Sequence, residues 1–167
     1  MELSQVNKQL WIGNKVVDQF DVDQIVMSGI TADIDLRAED DGEHWIMKHN
    51  PRLDYLYIPV LDDGESKPVE WFAKAWDFAS PRFGIGAVVL THCHSGFHRS
   101  ASMAVFLLMA RWQMSLADAV DMVVKQRASA DPIYADDAAK AIGQLGLSPH
   151  PDPGPSKPDM SGMPYAT

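Results

Sequence analysis

Hydrophobic positions along this chain fall into two rhythms: short apolar or alternating runs, and longer stretches that repeat every three to four residues. Leu10-Trp11-Ile12 reads as a short first strand, and Val22 to Ser28 as a short helix ended by Gly29. Thr31 to Leu36 alternates with the two-residue period of a strand. Asp33 and Asp35 lie on its more polar side, as a solvated or hydrogen-bonded face. Tyr55 to Val60 is the next strand, and Pro59 places its end or its whole length at a sheet edge, because proline has no N–H for a ladder. Pro68 suits the first turn of a helix, and Val69, Phe72, Ala73 and Trp76 follow as its apolar stripe. Gly86 to Thr91 is uncharged and β-branched, the pattern of a central parallel strand covered on both faces. Arg99 to Trp112 predicts a helix apolar nearly all round, and so buried. A further helix starts at Ser115, with Asp118 echoing a capping box and a stripe of Leu116, Val120, Val123 and Val124. A last helix spans about Tyr134 to Leu145. Strands alternating with helices, then a helical C-terminal half, predict an α/β fold of three layers, a mainly parallel central sheet flanked by helices.

Residues 1–147 read as one domain, and 148–167 as a Pro/Gly-rich C-terminal tail expected to be disordered. Six of the 11 prolines fall in that tail, which lacks the apolar surface needed to offset its ordering entropy. No stretch has the layout of a secretion signal, and the longest uncharged run, Ser100 to Ala110, is too short for a bilayer of about 30 Å. A cytoplasmic protein is expected. With 23 acidic residues against 14 basic, the formal net charge is −9. Such a surface disfavours a nucleic-acid partner, whose phosphates need lysine and arginine. A single cysteine excludes an internal disulfide and any multi-cysteine metal cage.

That cysteine stands in His92-Cys93-His94-Ser95-Gly96-Phe97-His98-Arg99-Ser100, between a buried strand and a buried helix. A strand–loop–helix turn aims several backbone N–H groups at one spot, and the helix dipole adds about half a positive charge there. The combination favours an anion, and favours the thiolate of Cys93 at its base. Arg99, six positions on, can curl back to the same anion and offer a planar fork to two phosphate oxygens. Gly96 supplies the positive φ that turns amides inward, and Ser100 can donate a hydrogen bond to the sulfur as it leaves. His94, Phe97 and His98 project outward around the mouth. His92 reads either as a support that bonds backbone or as strand-end packing. A metal site built from His92, Cys93, His94 and His98 is disfavoured, because four donors within seven residues crowd and structural zinc usually draws on two separated segments. Neither metal nor organic cofactor is expected.

The pattern HCxxGxxRS resembles the active-site loop of the cysteine-based protein tyrosine phosphatase superfamily, in its dual-specificity branch. Tyr55-Leu56-Tyr57-Ile58-Pro59-Val60-Leu61-Asp62-Asp63 before Trp71-Phe72, together with Leu10-Trp11-Ile12-Gly13 and Asp35-Leu36-Arg37, extends the likeness over residues 8 to about 145. The resemblance implies a protein-tyrosine/dual-specificity phosphatase with Cys93 as nucleophile, Arg99 and the 94–98 loop as phosphate binders, and Ser100 as an aid to the leaving sulfur. It implies Asp62 as general acid, with Asp63 the rival, and a phosphorylated protein or peptide as substrate. Alternatives on the same fold are a non-protein substrate, a phosphoinositide or an RNA 5′-phosphate, and a non-catalytic phosphate-binding module.

Overall fold

The computed structural model describes residues 1–39 and 44–147; the expected tail, 148–167, lies outside the described residues. Five strands form one sheet: β1 (Leu3–Asn7), β2 (Leu10–Gly13), β3 (Ala32–Arg37), β4 (Asp54–Val60) and β5 (Val89–His92). Their order is β1-β2-β5-β3-β4. Only β1 with β2 is antiparallel; β2–β5, β5–β3 and β3–β4 are parallel. The mainly parallel sheet expected from the alternation of strands and helices is therefore present, and β5 lies at its centre. Strand β4 is at the edge, where Pro59 can be accommodated.

Helices cover both faces. One side carries α3 (Val69–Gly84), α4 (Arg99–Trp112), α5 (Leu116–Gln126) and α6 (Ala135–Gln144), packed over a core that includes Leu10, Ile34, Phe72, Phe83, Val105 and Phe106. The other carries α1 (Gln19–Met27) and α2 (His44–Lys48), over Val16, Val22, Ile25, Ile30, Met47 and Leu90. Every residue of α4 from Arg99 to Ala110 is buried. Phe106 lies with its ring 5.1 Å from that of Phe72, and burial of such a side chain contributes about 1.5–3 kcal/mol. The helix that follows the cysteine loop is thus rooted in the centre of the molecule.

Local differences from the sequence reading have identifiable causes. Leu10-Trp11-Ile12 is the second strand; β1, half-exposed and polar, offers little periodicity to read. Helix α1 starts at Gln19 because Asp18 caps it, accepting from the N–H groups of Phe20 and Asp21. Helix α2 was not anticipated. The apolar face of α3 runs through Trp71, Phe72, Ala75, Ala79 and Phe83, rotated from the stripe expected, while Val69 and Trp76 are only partly buried. Likewise α5 buries Ala119 and Val123, and Val124 is exposed. Strand β5 begins at Val89 and ends at His92. Strand β3 has no solvated side: all six of its residues are buried, Asp33 and Asp35 included, so its polar face is the hydrogen-bonded one. No helix among the described residues is long and apolar enough to cross a membrane.

Candidate active site

The loop from Cys93 to His98 joins the carboxyl end of the central strand to the N-terminus of α4, and its two ends are stitched together. Thr91 Oγ1 donates to the carbonyl of Ser100 (3.0 Å). Outside the loop, four of its carbonyls in a row are held: His94 O by Lys15 N–H (3.0 Å), Ser95 O and Gly96 O by the Arg127 guanidinium (3.5 and 2.9 Å), and Phe97 O by Asp131 N–H (2.8 Å). A trans peptide points its C=O and the following N–H in opposite directions. Anchoring these carbonyls outward therefore turns the N–H groups of Ser95, Gly96, Phe97 and His98 inward. The one at Gly96 reaches Cys93 Sγ at 3.3 Å.

Gly96 has φ +73, and a Cβ there would lie 2.9 Å from Gly13 O and 2.7 Å from Arg127 Nη2. Both the positive φ and the close approach require glycine at this position. The sulfur itself is buried and lies 3.3 Å from Ser100 Oγ. His94, Ser95 and Phe97 expose their side chains and His98 is half-buried.

Arg99 is buried at 1% exposure. Its Nη1 donates to Glu39 Oε2 (3.0 Å), Val60 O (2.9 Å) and Leu36 O (3.4 Å), and its Nη2 to Glu39 Oε1 (2.8 Å). Burial works against the guanidinium charge, but Glu39, Cys93 and Asp62 outweigh it and raise its pKa. The same bidentate pairing with Arg99 holds the Glu39 carboxyl below its ordinary value. Glu39 takes the outer edge of the fork; the buried Nε is left without a hydrogen-bond partner. That orphaned donor and the second N–H of Nη2 form the edge available to an oxyanion.

Asp62 comes to this edge. Its Oδ2 lies 3.9 Å from Arg99 Nε and 3.0 Å from His98 Nδ1, and its Oδ1 accepts from the Tyr134 hydroxyl (2.7 Å). Asp63 turns away: it pairs with Lys67 Nζ (2.5 Å) and is 41% exposed. The segment is anchored at its far side by Trp71, whose Nε1 donates to Ile58 O (2.9 Å).

His92 is buried at the end of β5, as the packing reading had it, and is not the backbone-bonding support. It bonds no backbone; its Nε2 lies 3.0 Å from Asp33 Oδ2 and 3.7 Å from Asp35 Oδ2, in a fully buried group. Arg37 pairs with Asp35 (2.9 Å), and Tyr55 OH donates to Asp35 (2.8 Å). Burial disfavours the His92 charge, but the two carboxylates outweigh it and raise its pKa. Asp33 is pushed up, chiefly by its burial. For Asp35 burial acts upward too, yet His92 and Arg37 bring it down to about 2. Burial, reinforced by the Asp35 charge, raises Tyr55.

Glu39, Arg127 and Tyr134 did not stand out in the sequence. Each approaches the loop from a distant segment, and no short-range spacing marks them; Glu39, two positions beyond Asp35-Leu36-Arg37, came nearest to being legible. Among the described residues no cluster of three or more His, Cys, Asp or Glu side chains could hold a metal ion.

Comparison with known proteins shows what the chain is similar to. Residues 10–134 match the family model for the dual specificity phosphatase catalytic domain. The chain is 34% identical over 95 residues to human dual specificity protein phosphatase 16, covering 57% of this chain and 14% of that protein. It is 30% identical over 85 residues to human dual specificity protein phosphatase 9, covering 51% of this chain and 22% of that one. The match thus spans under a quarter of the length of either relative. Among solved structures, human DUSP28 superposes with a TM-score of 0.71 at 22% identity, over 86% of this chain and 95% of that one. The human tyrosine phosphatase-like serine/threonine/tyrosine-interacting protein gives 0.73 at 20%, over 87% and 98%. At such identities these two structures speak to the fold alone.

Proposed function

We propose, because this chain belongs to the dual specificity phosphatase catalytic-domain family, that it hydrolyses phosphomonoesters on protein substrates, phosphotyrosine together with phosphoserine and phosphothreonine, through a phosphocysteine on Cys93. One observation supports the reading: the Arg99 Nε is buried without a hydrogen-bond partner, at the start of the helix that follows the loop whose Gly96 amide reaches the Cys93 sulfur. A buried donor left unsatisfied is costly; a phosphate oxygen satisfies it.

In this scheme the dianion sits on the amides of 95–98 and on the Nε–Nη2 edge of Arg99. The thiolate attacks phosphorus in line, forming the S–P bond as the P–O ester bond breaks. Asp62 Oδ2 gives its proton to the departing oxygen, a transfer worth roughly 10²–10⁴-fold. Water then attacks phosphorus, Asp62 takes its proton, and the sulfur leaves as thiolate with the Ser100 hydroxyl beside it. Positioning and electrostatic stabilisation supply the rate. A cytoplasmic location fits a working thiol, since reducing compartments keep it free.

One structural neighbour is named only as phosphatase-like, so the fold by itself does not guarantee turnover; nucleophile, arginine and acid are all present here. The test is steady-state hydrolysis of aryl phosphates and a phosphopeptide panel. Cys93→Ser is expected to bind phosphosubstrate without turnover. Asp62→Asn is expected to slow poor leaving groups most. Wild-type activity in the first variant, or a leaving-group effect in Asp63→Asn in place of Asp62→Asn, contradicts the assignment.

A further inference from the structure

Tyr134 is a buried side chain for which the scheme above has no use. It sits at the N-terminus of α6, is 2% exposed, and its hydroxyl is fully committed. The O–H donates to Asp62 Oδ1 at 2.7 Å, and the oxygen accepts the N–H of Gly64 at 3.1 Å. One side chain therefore grips both the carboxylate and the backbone of the loop that carries it. At its other end, Tyr134 N–H donates to Ser102 Oγ at 3.1 Å. Ser102 lies on α4, one turn beyond Arg99. An unbroken path thus runs from the helix that roots the cysteine loop, through Ser102 and Tyr134, to Asp62. A second tie to α6 reinforces it: Asp137 accepts from Ser66 Oγ (2.6 Å) and Lys67 N–H (2.9 Å).

The hydrogen count decides which carboxyl oxygen works. Oδ1 is an acceptor for as long as the phenol keeps its proton, and it does: burial, reinforced by the bond to Asp62, pushes the Tyr134 hydroxyl up to about 12. With Oδ1 taken by the phenol, Oδ2, which faces Arg99 Nε and His98 Nδ1, is the oxygen left for the transferable proton. We propose that Tyr134 is a positioning residue for the reaction: it registers the Asp62 carboxyl to the Cys93–Arg99 helix and reserves Oδ2 for proton transfer, so that the acid stands over the cradle before substrate arrives. This rests on the phosphatase reading of the same site.

The test is Tyr134→Phe, which keeps the ring and deletes the hydroxyl, measured as kcat/KM on two esters. Loss of the hydrogen bond that holds the protonated acid predicts a fall of about two- to tenfold on phenyl phosphate, whose leaving oxygen needs the proton. On a fluorinated umbelliferyl phosphate, which leaves readily, the fall should be several times smaller. In the Asp62→Asn background, Tyr134→Phe should add no further loss. Equal losses on both esters, or a full additional loss in the Asp62→Asn background, overturn the inference while leaving the phosphatase reading intact. If Asp62→Asn itself shows no leaving-group dependence, the acid assignment falls and takes the inference with it. Should Tyr134→Phe fail to fold, Ser102→Ala, which cuts the same path at its other end, must show the selective loss; a uniform one contradicts the inference.

Discussion

Gly96 is the position where a single methyl group should do the most damage. In Gly96→Ala the backbone keeps φ near +73, a left-handed conformation that costs an L-residue roughly 1–2 kcal/mol. The new Cβ also meets three neighbours at 2.7, 2.9 and 3.1 Å. The first, Arg127 Nη2, is the end of a flexible side chain and can swing. The others, Gly13 O and Asn14 N, are backbone of the strand next to β5 and its exit, and cannot. Overpacking of this kind costs about 1–3 kcal/mol. The sum, about 2–5 kcal/mol, is a large part of the roughly 5–15 kcal/mol that holds a domain folded. At about 2–4 °C per kcal/mol for a chain of this size, thermal midpoint should drop by about 4–20 °C. Strain is relieved most easily by pushing residue 96 towards the sulfur or out of the loop. Either motion disturbs the amide that reaches Cys93 Sγ, and a displacement near 1 Å costs about 100-fold in rate. The assay pairs a thermal melt with kcat/KM on an aryl phosphate, measured well below the new midpoint. Wild-type values in both would refute the claim that carbonyls anchored outside the loop build the cradle within it.

Two further outcomes follow from named contacts. Ser100→Ala removes the hydroxyl 3.3 Å from the sulfur and should slow breakdown of the phosphoenzyme by about tenfold or more. Rapid-quench kinetics should then show a larger burst, and an unchanged breakdown rate would take Ser100 out of the chemistry. Stability should also fall on both sides of neutrality. His92 is raised above its ordinary 6.5, so the stability it contributes is fully present below that value and lost as pH rises through the raised one. Asp33 is raised as well, so its share is present below 3.8 and lost as pH rises through its raised value, a window that starts on the acid side of that of His92 and opposes the loss from Asp35. Asp35 is lowered from 3.8 to about 2, so its share is present above 3.8 and lost on acidification towards 2. Urea titrations across pH measure both limbs. His92→Gln should be less stable overall and lose its part of the alkaline limb, and an unaltered alkaline slope would exclude His92 as its source.

What the sequence disclosed, and what it withheld, divides along the range of the interactions. Cys93, Gly96, Arg99 and Ser100 share one strand–loop–helix unit, so their spacing was enough to bring them together. The strands from Ala32 and from Asp54 and the helix from Arg99 to Trp112 were legible because long apolar segments declare their period. Asp62 needed the likeness to a family, since β4 and the cysteine loop meet only through sheet order. Asp33 and Asp35 do form a hydrogen-bonded face, one of the two readings; the solvated one fails because alternation along a strand also fits a polar group that is paired internally and buried under helices. The faces of α3 and α5 were rotated because alanines share them: Ala75 and Ala79 are buried with Trp71, Phe72 and Phe83 in α3, and Ala119 with Val123 in α5. Glu39, Arg127 and Tyr134 act across the fold, each fixing the geometry of a residue the motif contains, and no local pattern announces that kind of support.

The most direct measurement is to mix the purified protein with an aryl phosphate, quench in acid within the first turnover, and locate the phosphoryl group by peptide mass spectrometry. A phosphoryl group on Cys93, more abundant in Ser100→Ala and absent in Cys93→Ser, is the expected result. Turnover with no modified cysteine at any quench time, or with the phosphoryl group on another residue, would contradict it.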